Sequence, residues 1–402
     1  MAKKKDTHEA GGSEEKAKKI TSKLVRRGVS ERFFKDENGN FWEQRGMAGG
    51  RNFFVPAPPW AGNINAYLFE GPNIYPEPQR KPLCDVPEMR AGGKVSDGGN
   101  LILSDEEKIE LLRTDPHAEM FIRPYMMGKD FINRITRWCL WMVGAEPADI
   151  RKCPRILERL ERVREFRLAS SKEATRRKAD TPMLFDEPIE CTQDYIAIPA
   201  VSSSNRRYIP IEWVSRNVIP GTNIRFLANA NLYLFGVLVS SVHNAWGRIV
   251  SGRLRNDYRY NNTITYNAFP FPELVIPPRR FDQPAKTIKD NPHFQAVERT
   301  AQAILDARSL YPRSTLADLY DERTMPPELR RAHRANDEAV MGAYGFTRHY
   351  EDERLNDEDI ATNLLYRYKE LTGCPEYSES YPNRELWEAY YGDSEDGDED
   401  SD

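Results

Sequence analysis

The chain has 402 residues, 39% hydrophobic and 30% charged, a globular composition long enough for two domains, since single cores rarely grow past about 250–300 residues. No run approaches the ~18 apolar residues of a membrane helix, the start carries no apolar signal region, and five scattered cysteines with six histidines at no ligand spacing exclude a disulfide framework and a zinc knuckle; the expectation is a cytoplasmic chain with reduced thiols. The net charge of −4 is uneven: Asp393–Asp402 holds seven acids and no base, whereas residues 121–260 hold 23 Lys and Arg against 14 Asp and Glu, the balance of a surface for a polyanion or of solvated, salt-bridged helices.

In chain order, residues 1–19 are Lys/Glu/Gly-rich and read as a disordered leader. Residues 20–100 read as an N-terminal linker region. Aromatic and charged residues alternate there up to Pro59, with turn signals at Asn38-Gly39-Asn40 and Gly49-Gly50, and the chain is Pro- and Gly-rich from Gly71 to Gly99. Ser104 followed by Glu107 is a capping box that opens a helix. A turn at Met127-Gly128-Lys129 precedes a strand-like run to Val143. A helix is predicted from Pro154 to Ala179, with Ile156, Leu157, Leu160 and Val163 on its apolar face. Short strands follow at Tyr195–Pro199, Arg207–Trp213 and Asn223–Leu227. One long amphipathic helix is expected from about Leu232 to Leu254, its stripe formed by Leu232, Phe235, Val239, Val242, Trp246 and Ile249. The fold class is therefore α+β. A mixed domain over residues 101–275 is followed by a helical unit over 284–371 and a disordered acidic tail over 376–402.

Catalytic signatures are missing: the sequence has no GxGxxG, Walker loop, HExxH or GxSxG. His243 on the apolar helix reads as a core histidine, and Cys139 between Trp138 and Leu140 as a small buried hydrophobe. The positive signals are for nucleic acid. The stretch SSSNRRYIP places Ser203, Ser204, Asn205, Arg206 and Arg207 together, offering guanidinium forks to guanine edges and an amide to adenine. Arg253, Arg255 and Arg259 interleave with Tyr258 and Tyr260, which suits phosphate contacts. Arg123, Lys129 and Arg137 extend the basic block. A polar turn accounts equally well for the first cluster, and arginines complementing a helix C-terminus for the second.

Seven blocks occur in fixed order: INAYLFEGPNIYPEPQRKPLCDVPEM, LILSDEEKIELL, FIRPYMMGKDFINRITRWCLWM, RVREFRLASSKEATRRKADTPMLF, YIAIPAVSSSNRRYIPIEWV, SSVHNAWGRIVSGRLRNDYRYNNTITYNAFPFPE and LADLYDERTMPPELRRAH. Over about residues 60–371 the chain resembles the C-terminal half of the MmeI-like class of adenine-specific DNA methyltransferases and restriction–modification enzymes. The resemblance implies a target-recognition domain followed by a helical C-terminal part, with the catalytic half absent. The family's glycine-rich cofactor motif has no counterpart, and Pro58-Pro59, Pro277-Pro278 and Pro326-Pro327 lack the acidic or amide residue before and the aromatic residue after that its catalytic motif requires. The family reads base edges just before the YIPI strand, usually with an acidic residue where this chain has Ser204.

What the resemblance implies is a recognition subunit for double-stranded DNA in a modification, restriction or phage-defence system. It would work with a separately encoded methyltransferase subunit that holds S-adenosylmethionine, with no cofactor, metal or membrane contact of its own. A non-enzymatic DNA-binding regulator and an inactive fragment of a disrupted methyltransferase gene are the alternatives. The opening Met and Lys/Glu-rich leader favour a genuine start. Arg206 and Arg207 would alternate across a strand, with Arg206 facing the groove because Arg207 adjoins Tyr208 entering the core.

Overall fold

The computed structural model describes residues 63, 65–69, 71–272, 291–346 and 356–376 in full, together with the backbone of four strands between residues 25 and 56. The expected leader, the Pro-rich linker over 273–290 and the tail beyond Glu376 lie outside the described residues. The chain divides into two compact units, Met1–Pro76 with Thr347–Asp402, and Glu77–Phe346.

In the first unit, strands β1 (Val25–Arg26), β2 (Phe33–Lys35), β3 (Phe41–Ala48) and β4 (Arg51–Pro56) pair antiparallel in sequence order. Lys35 pairs with Phe41 and Ala48 with Arg51, so the chain reverses across the two predicted turns. The same unit holds a helix over Asp357–Thr372, capped by the Asn356 side chain and ended by Gly373 at φ 71°.

The second unit begins with β5 (Arg90–Ala91) and β6 (Ile102–Leu103), then helix α1 (Asp105–Thr114). The capping box is formed as predicted: the Ser104 hydroxyl accepts from the Glu107 amide, and the Glu107 carboxylate from the Ser104 amide. β7 (Ile122–Met126) and β8 (Arg137–Leu140) flank α2 (Gly128–Asn133). The expected turn at Met127-Gly128-Lys129 is instead this helix's start, because the Asp130 carboxylate accepts the Met127 amide. β12 (Ile219–Pro220) joins in parallel to give the sheet order β12-β7-β8-β6.

Helix α3 (Pro154–Leu168) buries Ile156, Leu160 and Val163, worth roughly 1.5–3 kcal/mol for each large side chain. Leu157, assigned to that face, is exposed, and the next buried position is Arg167. The helix ends eleven residues earlier than expected. The Ser170 hydroxyl captures the Lys172 amide, and a separate short helix α4 (Glu173–Arg177) follows.

β9 (Tyr195–Pro199) and β13 (Ile224–Ala228) match the predicted strands, and with β11 (Glu212–Val214) and β5 form an antiparallel sheet of order β11-β9-β13-β5. The predicted strand over Arg207–Trp213 is corrected: only its end is strand. Gly92 crosses Gly221 so closely that a Cβ there would collide with the Gly221 backbone.

The long helix expected from Leu232 to Leu254 is two helices, α5 (Leu232–Val239) and α6 (Ser241–Val250). Ser240 adopts extended backbone (ψ 160°), and its hydroxyl accepts the His243 amide, so it caps the second helix instead of continuing the first. From Tyr233 to Val239 α5 is buried on every side, not along one stripe. Two short strands, β14 (Arg253–Leu254) and β15 (Asp257–Arg259), then form a third sheet with β10 (Val201–Ser202).

The C-terminal helices α7 (Pro292–Ser309), α8 (Leu316–Leu319) and α9 (Pro327–Tyr344) pack directly on this body. A Cβ at Gly236 of α5 would stand 2.7 Å from Val297 and 3.1 Å from Ala301, and the Asn336 amide donates to the Gly236 carbonyl at 2.8 Å. The residues expected to form separate recognition and helical segments therefore share one core through α9.

Candidate nucleic-acid interface

The two polar clusters singled out in the sequence, fifty residues apart, meet in the small sheet β10-β15-β14. Val201 pairs with Arg259 and Ser202 with Tyr258, and Arg253 lies opposite Tyr258 on the other edge. Beyond β10 the chain turns tightly, the Arg206 amide donating to the Ser203 carbonyl at 3.2 Å and the Asn205 amide to the Ser203 hydroxyl at 3.3 Å. The Ser204 amide reaches the Asp257 carboxylate at 3.3 Å, tying this loop to the hairpin.

Ser204, Asn205 and Arg207 are exposed, and Ser203 and Arg206 are half-buried. Burial lowers the Arg206 pKa, while the charges of Asp257 and Asp321 act in the opposite direction. The loop is not a strand, so the expected alternation of Arg206 and Arg207 across one is replaced by a turn. Arg206 lies in the field of two carboxylates. Arg207 lies at the surface with its guanidinium 5.7 Å from the Tyr208 ring, and its carbonyl accepts from Arg248 at 2.6 Å.

Arg253, Arg255 and Arg259 are all exposed on the hairpin. The Arg253 guanidinium stacks 3.8 Å from the ring of its cross-strand partner Tyr258 and donates to the Arg248 carbonyl at 3.3 Å. Arg255 sits at the hairpin tip with φ 58°, a left-handed position that ordinarily favours glycine or asparagine. Among the described residues no carboxylate pairs with Arg255 or Arg259. Tyr260 is a correction: it is 1% exposed, and its hydroxyl meets His243 Nε2 at 2.8 Å inside the core, out of reach of a phosphate. Burial holds His243 at about 3, so the pair is neutral. Cys139 is likewise buried, its thiol pushed up to about 12 by burial.

The remaining candidates lie on the sheet β12-β7-β8-β6 and on α2. Arg123 pairs with Glu190 at 2.6 Å and donates to the Arg216 and Asn217 carbonyls, so its donors join chain segments within the fold. Arg137 pairs with the buried Asp130 at 2.8 Å. Lys129 is exposed in the first turn of α2, and no carboxylate pairs with it among the described residues. Sequence reading missed Arg225. It is half-buried on β13, where burial and then the neighbouring charge of Arg259 lower its pKa. A lone arginine in an apolar strand gives no signal in sequence, and only the pairing of distant strands reveals the cationic pair. Among the described residues there is no cluster of three or more metal-ligating side chains, and no helix is long and apolar enough to cross a membrane.

Small sheets and helices in a mixed body, with packed C-terminal helices, make the fold of a target-recognition domain with its helical companion. The target recognition domain of MmeI matches residues 70–273, and the MmeI C-terminal domain matches residues 288–374. The chain belongs to the MmeI family. The Type IIL restriction–modification enzyme MmeI, solved in complex with DNA, shares 38% sequence identity and a TM-score of 0.70 over 84% of this chain and 42% of that one. DNA methyltransferase A of Bacillus subtilis (strain 168) is 34% identical over 310 residues, 77% of this chain and 33% of the relative. The chain therefore spans about a third of that curated relative's length.

Proposed function

We propose that this chain is the sequence-reading part of an adenine-specific DNA methyltransferase in a modification, restriction or defence system. It binds a specific duplex and presents it to a methyltransferase carried by a separate polypeptide, which holds the S-adenosylmethionine. The observation that carries the reading is the union of the Ser203–Arg207 loop and the arginine hairpin on one surface, in a chain of the MmeI family. A base-reading loop needs phosphate contacts beside it to fix register, and the hairpin supplies them.

Adenine methylation needs a flipped base in a pocket beside the methyl donor, and the sequence carries neither the cofactor motif nor the catalytic motif of the family. Purified alone, the chain is expected neither to bind S-adenosylmethionine nor to methylate DNA, and to support methylation once the catalytic polypeptide is added. Calorimetric titration and a methyl-transfer assay check this; micromolar cofactor binding by the chain alone would sink the two-polypeptide arrangement.

Within the loop, replacing the groove-facing arginine of the pair Arg206 and Arg207 with Ala should cost about 1–3 kcal/mol of cognate binding and relax preference at one base pair. Ser204 offers a hydroxyl where an acidic side chain would favour the amino group of cytosine. Selection from a random duplex library with wild type, Arg206→Ala and Arg207→Ala decides the assignment. If both variants lose affinity yet select the wild-type consensus, these arginines only position the protein.

A further inference from the structure

The segment that follows the loop has an unusual support. Residues 208–211 belong to no strand, so no sheet ladder fixes their direction. Their polar groups are held instead by side chains from elsewhere. The Ile209 amide donates to Asn244 of α6 at 2.8 Å, and the Ile211 carbonyl accepts from Arg308 of α7 at 2.6 Å. The Tyr208 ring stacks on His333 of α9 with centroids 4.2 Å apart, and its hydroxyl donates to the Asp337 carboxylate of α9 at 2.7 Å. The second Asp337 oxygen accepts the Ser241 amide at the start of α6, also at 2.7 Å. Behind this, His333 bonds the Tyr320 hydroxyl, which in turn meets the Arg308 guanidinium. Tyr208, Asp337, His333, Arg308 and Tyr320 are all buried.

The turn is held on one side by the β10–β15 ladder, and on the other, at residues 208–211, its direction is set by these side chains. Arg206 and Arg207 precede Tyr208 directly, so a shift of the Tyr208 ring displaces both guanidiniums. We infer that Asp337 of the C-terminal helical segment is a positioning residue for DNA recognition: by clamping Tyr208 and the start of α6 together it sets the attitude of the Ser203–Arg207 loop. Sequence preference is then controlled in part from outside the segment that touches the bases. The inference rests on the reading of this surface as a DNA-binding one. Other charges act on the same point. Burial raises the Asp337 carboxyl to about 6, against the bonds from Ser241 and Tyr208 and the Arg207 charge, which lower it. A carboxylate kept in that setting has its two oxygens matched to two donors on different elements.

The test compares the full chain with Tyr208→Phe, Asp337→Ala and Asp337→Asn. Affinity is measured for a duplex carrying the consensus selected by wild type and for a scrambled duplex of equal length, with a thermal melt for each protein. Tyr208→Phe removes one hydroxyl and leaves a buried carboxylate oxygen unmatched. It should lower the ratio of cognate to scrambled affinity about tenfold, while scrambled binding, carried by the hairpin arginines, stays within about twofold. Asp337→Ala should lose at least as much. Asp337→Asn should restore most of the ratio, because its oxygen accepts the Ser241 amide while its nitrogen donates to the Tyr208 oxygen. Should Asp337→Ala fail to fold, Tyr208→Phe against Asp337→Asn still decides. A lowered melting temperature with an unchanged affinity ratio in Tyr208→Phe overturns the positioning role and leaves the DNA reading intact. A wild type that prefers no duplex over the scrambled one overturns the DNA reading and this inference with it.

Discussion

Replacing Arg167 with methionine is expected to cost about 3–5 kcal/mol of unfolding free energy, the scale of removing a buried charged group from its partners. Arg167 is 0% exposed on the inner face of α3, yet no carboxylate forms an ion pair with it among the described residues. Its five N–H donors are all used, each on a backbone carbonyl: Val95, Ser96, Lys178, Thr181 and Leu184, at 2.7–3.1 Å. Burial lowers its pKa, and the charges of Asp186 and Asp97 act to restore it. The guanidinium thus ties α3 to the chain before β6 and to the turn after α4, and it is the donor for the Ser96 and Leu184 carbonyls while sharing those of Val95, Lys178 and Thr181 with backbone amides. Methionine fills similar volume and offers no donor, so the Ser96 and Leu184 carbonyls lose their partner, each buried orphan costing up to about 1–3 kcal/mol before water relaxes in, while those of Val95, Lys178 and Thr181 keep the Asp186, Thr181 and Leu184 amides. Lysine, with three donors on a single nitrogen, cannot span the same fork and should recover less than half of the loss. Urea titration of the three proteins at constant slope measures it; a methionine variant within 1 kcal/mol of wild type would show that solvent reaches these carbonyls.

Arg167 also marks where legibility stops. The period of 3.6 was readable in Ile156, Leu160 and Val163, and it points to position 167 as the next buried site, but the residue type argues for solvent. Only tertiary structure brings five carbonyls from three chain segments to that point. The same limit appears elsewhere. The Ser104–Glu107 capping box and the strands β9 and β13 depend on near neighbours in sequence and were legible. The break at Ser240 was not, because a serine inside an apolar run is neutral to helix formation until its hydroxyl is used as a cap. Tyr260 reads as a partner for arginines because it alternates with them; the strand's twist back into the core turns it toward His243 instead. The composition of the site was legible in both clusters. Their union was not, since the pairing of Ser202 with Tyr258 is non-local, and neither was the support of Tyr208 by α9, which rests on contacts 129 residues apart in sequence.

Binding to duplex DNA is expected to weaken by about a thousandfold between roughly 50 and 200 mM salt, if about six cations meet phosphates, because each neutralised phosphate contributes about 0.9 to the slope of log affinity against log salt. The cations that qualify are those whose charge is not already spent. Arg255 and Arg259 on the hairpin and Lys129 on α2 are exposed and have no ion pair among the described residues. Arg253 is exposed beside the Tyr258 ring with no ion pair among the described residues. Arg225 is half-buried on β13 and feels the charge of Arg259, which lowers its pKa after burial does. Arg123 and Arg137 do not qualify, being closed into pairs with Glu190 and Asp130. Exchanging either pair member should therefore change stability more than the salt slope. Alanine at Arg253, Arg255 or Arg259 should lower the slope by about one and weaken cognate and scrambled duplexes equally, since phosphate contacts carry no base information. Fluorescence anisotropy at four salt concentrations on both duplexes measures slope and selectivity together. An affinity indifferent to salt would count against any DNA role for this surface. A slope lowered by Arg123→Ala as much as by Arg255→Ala would move the phosphate track onto the β7–β8 sheet instead.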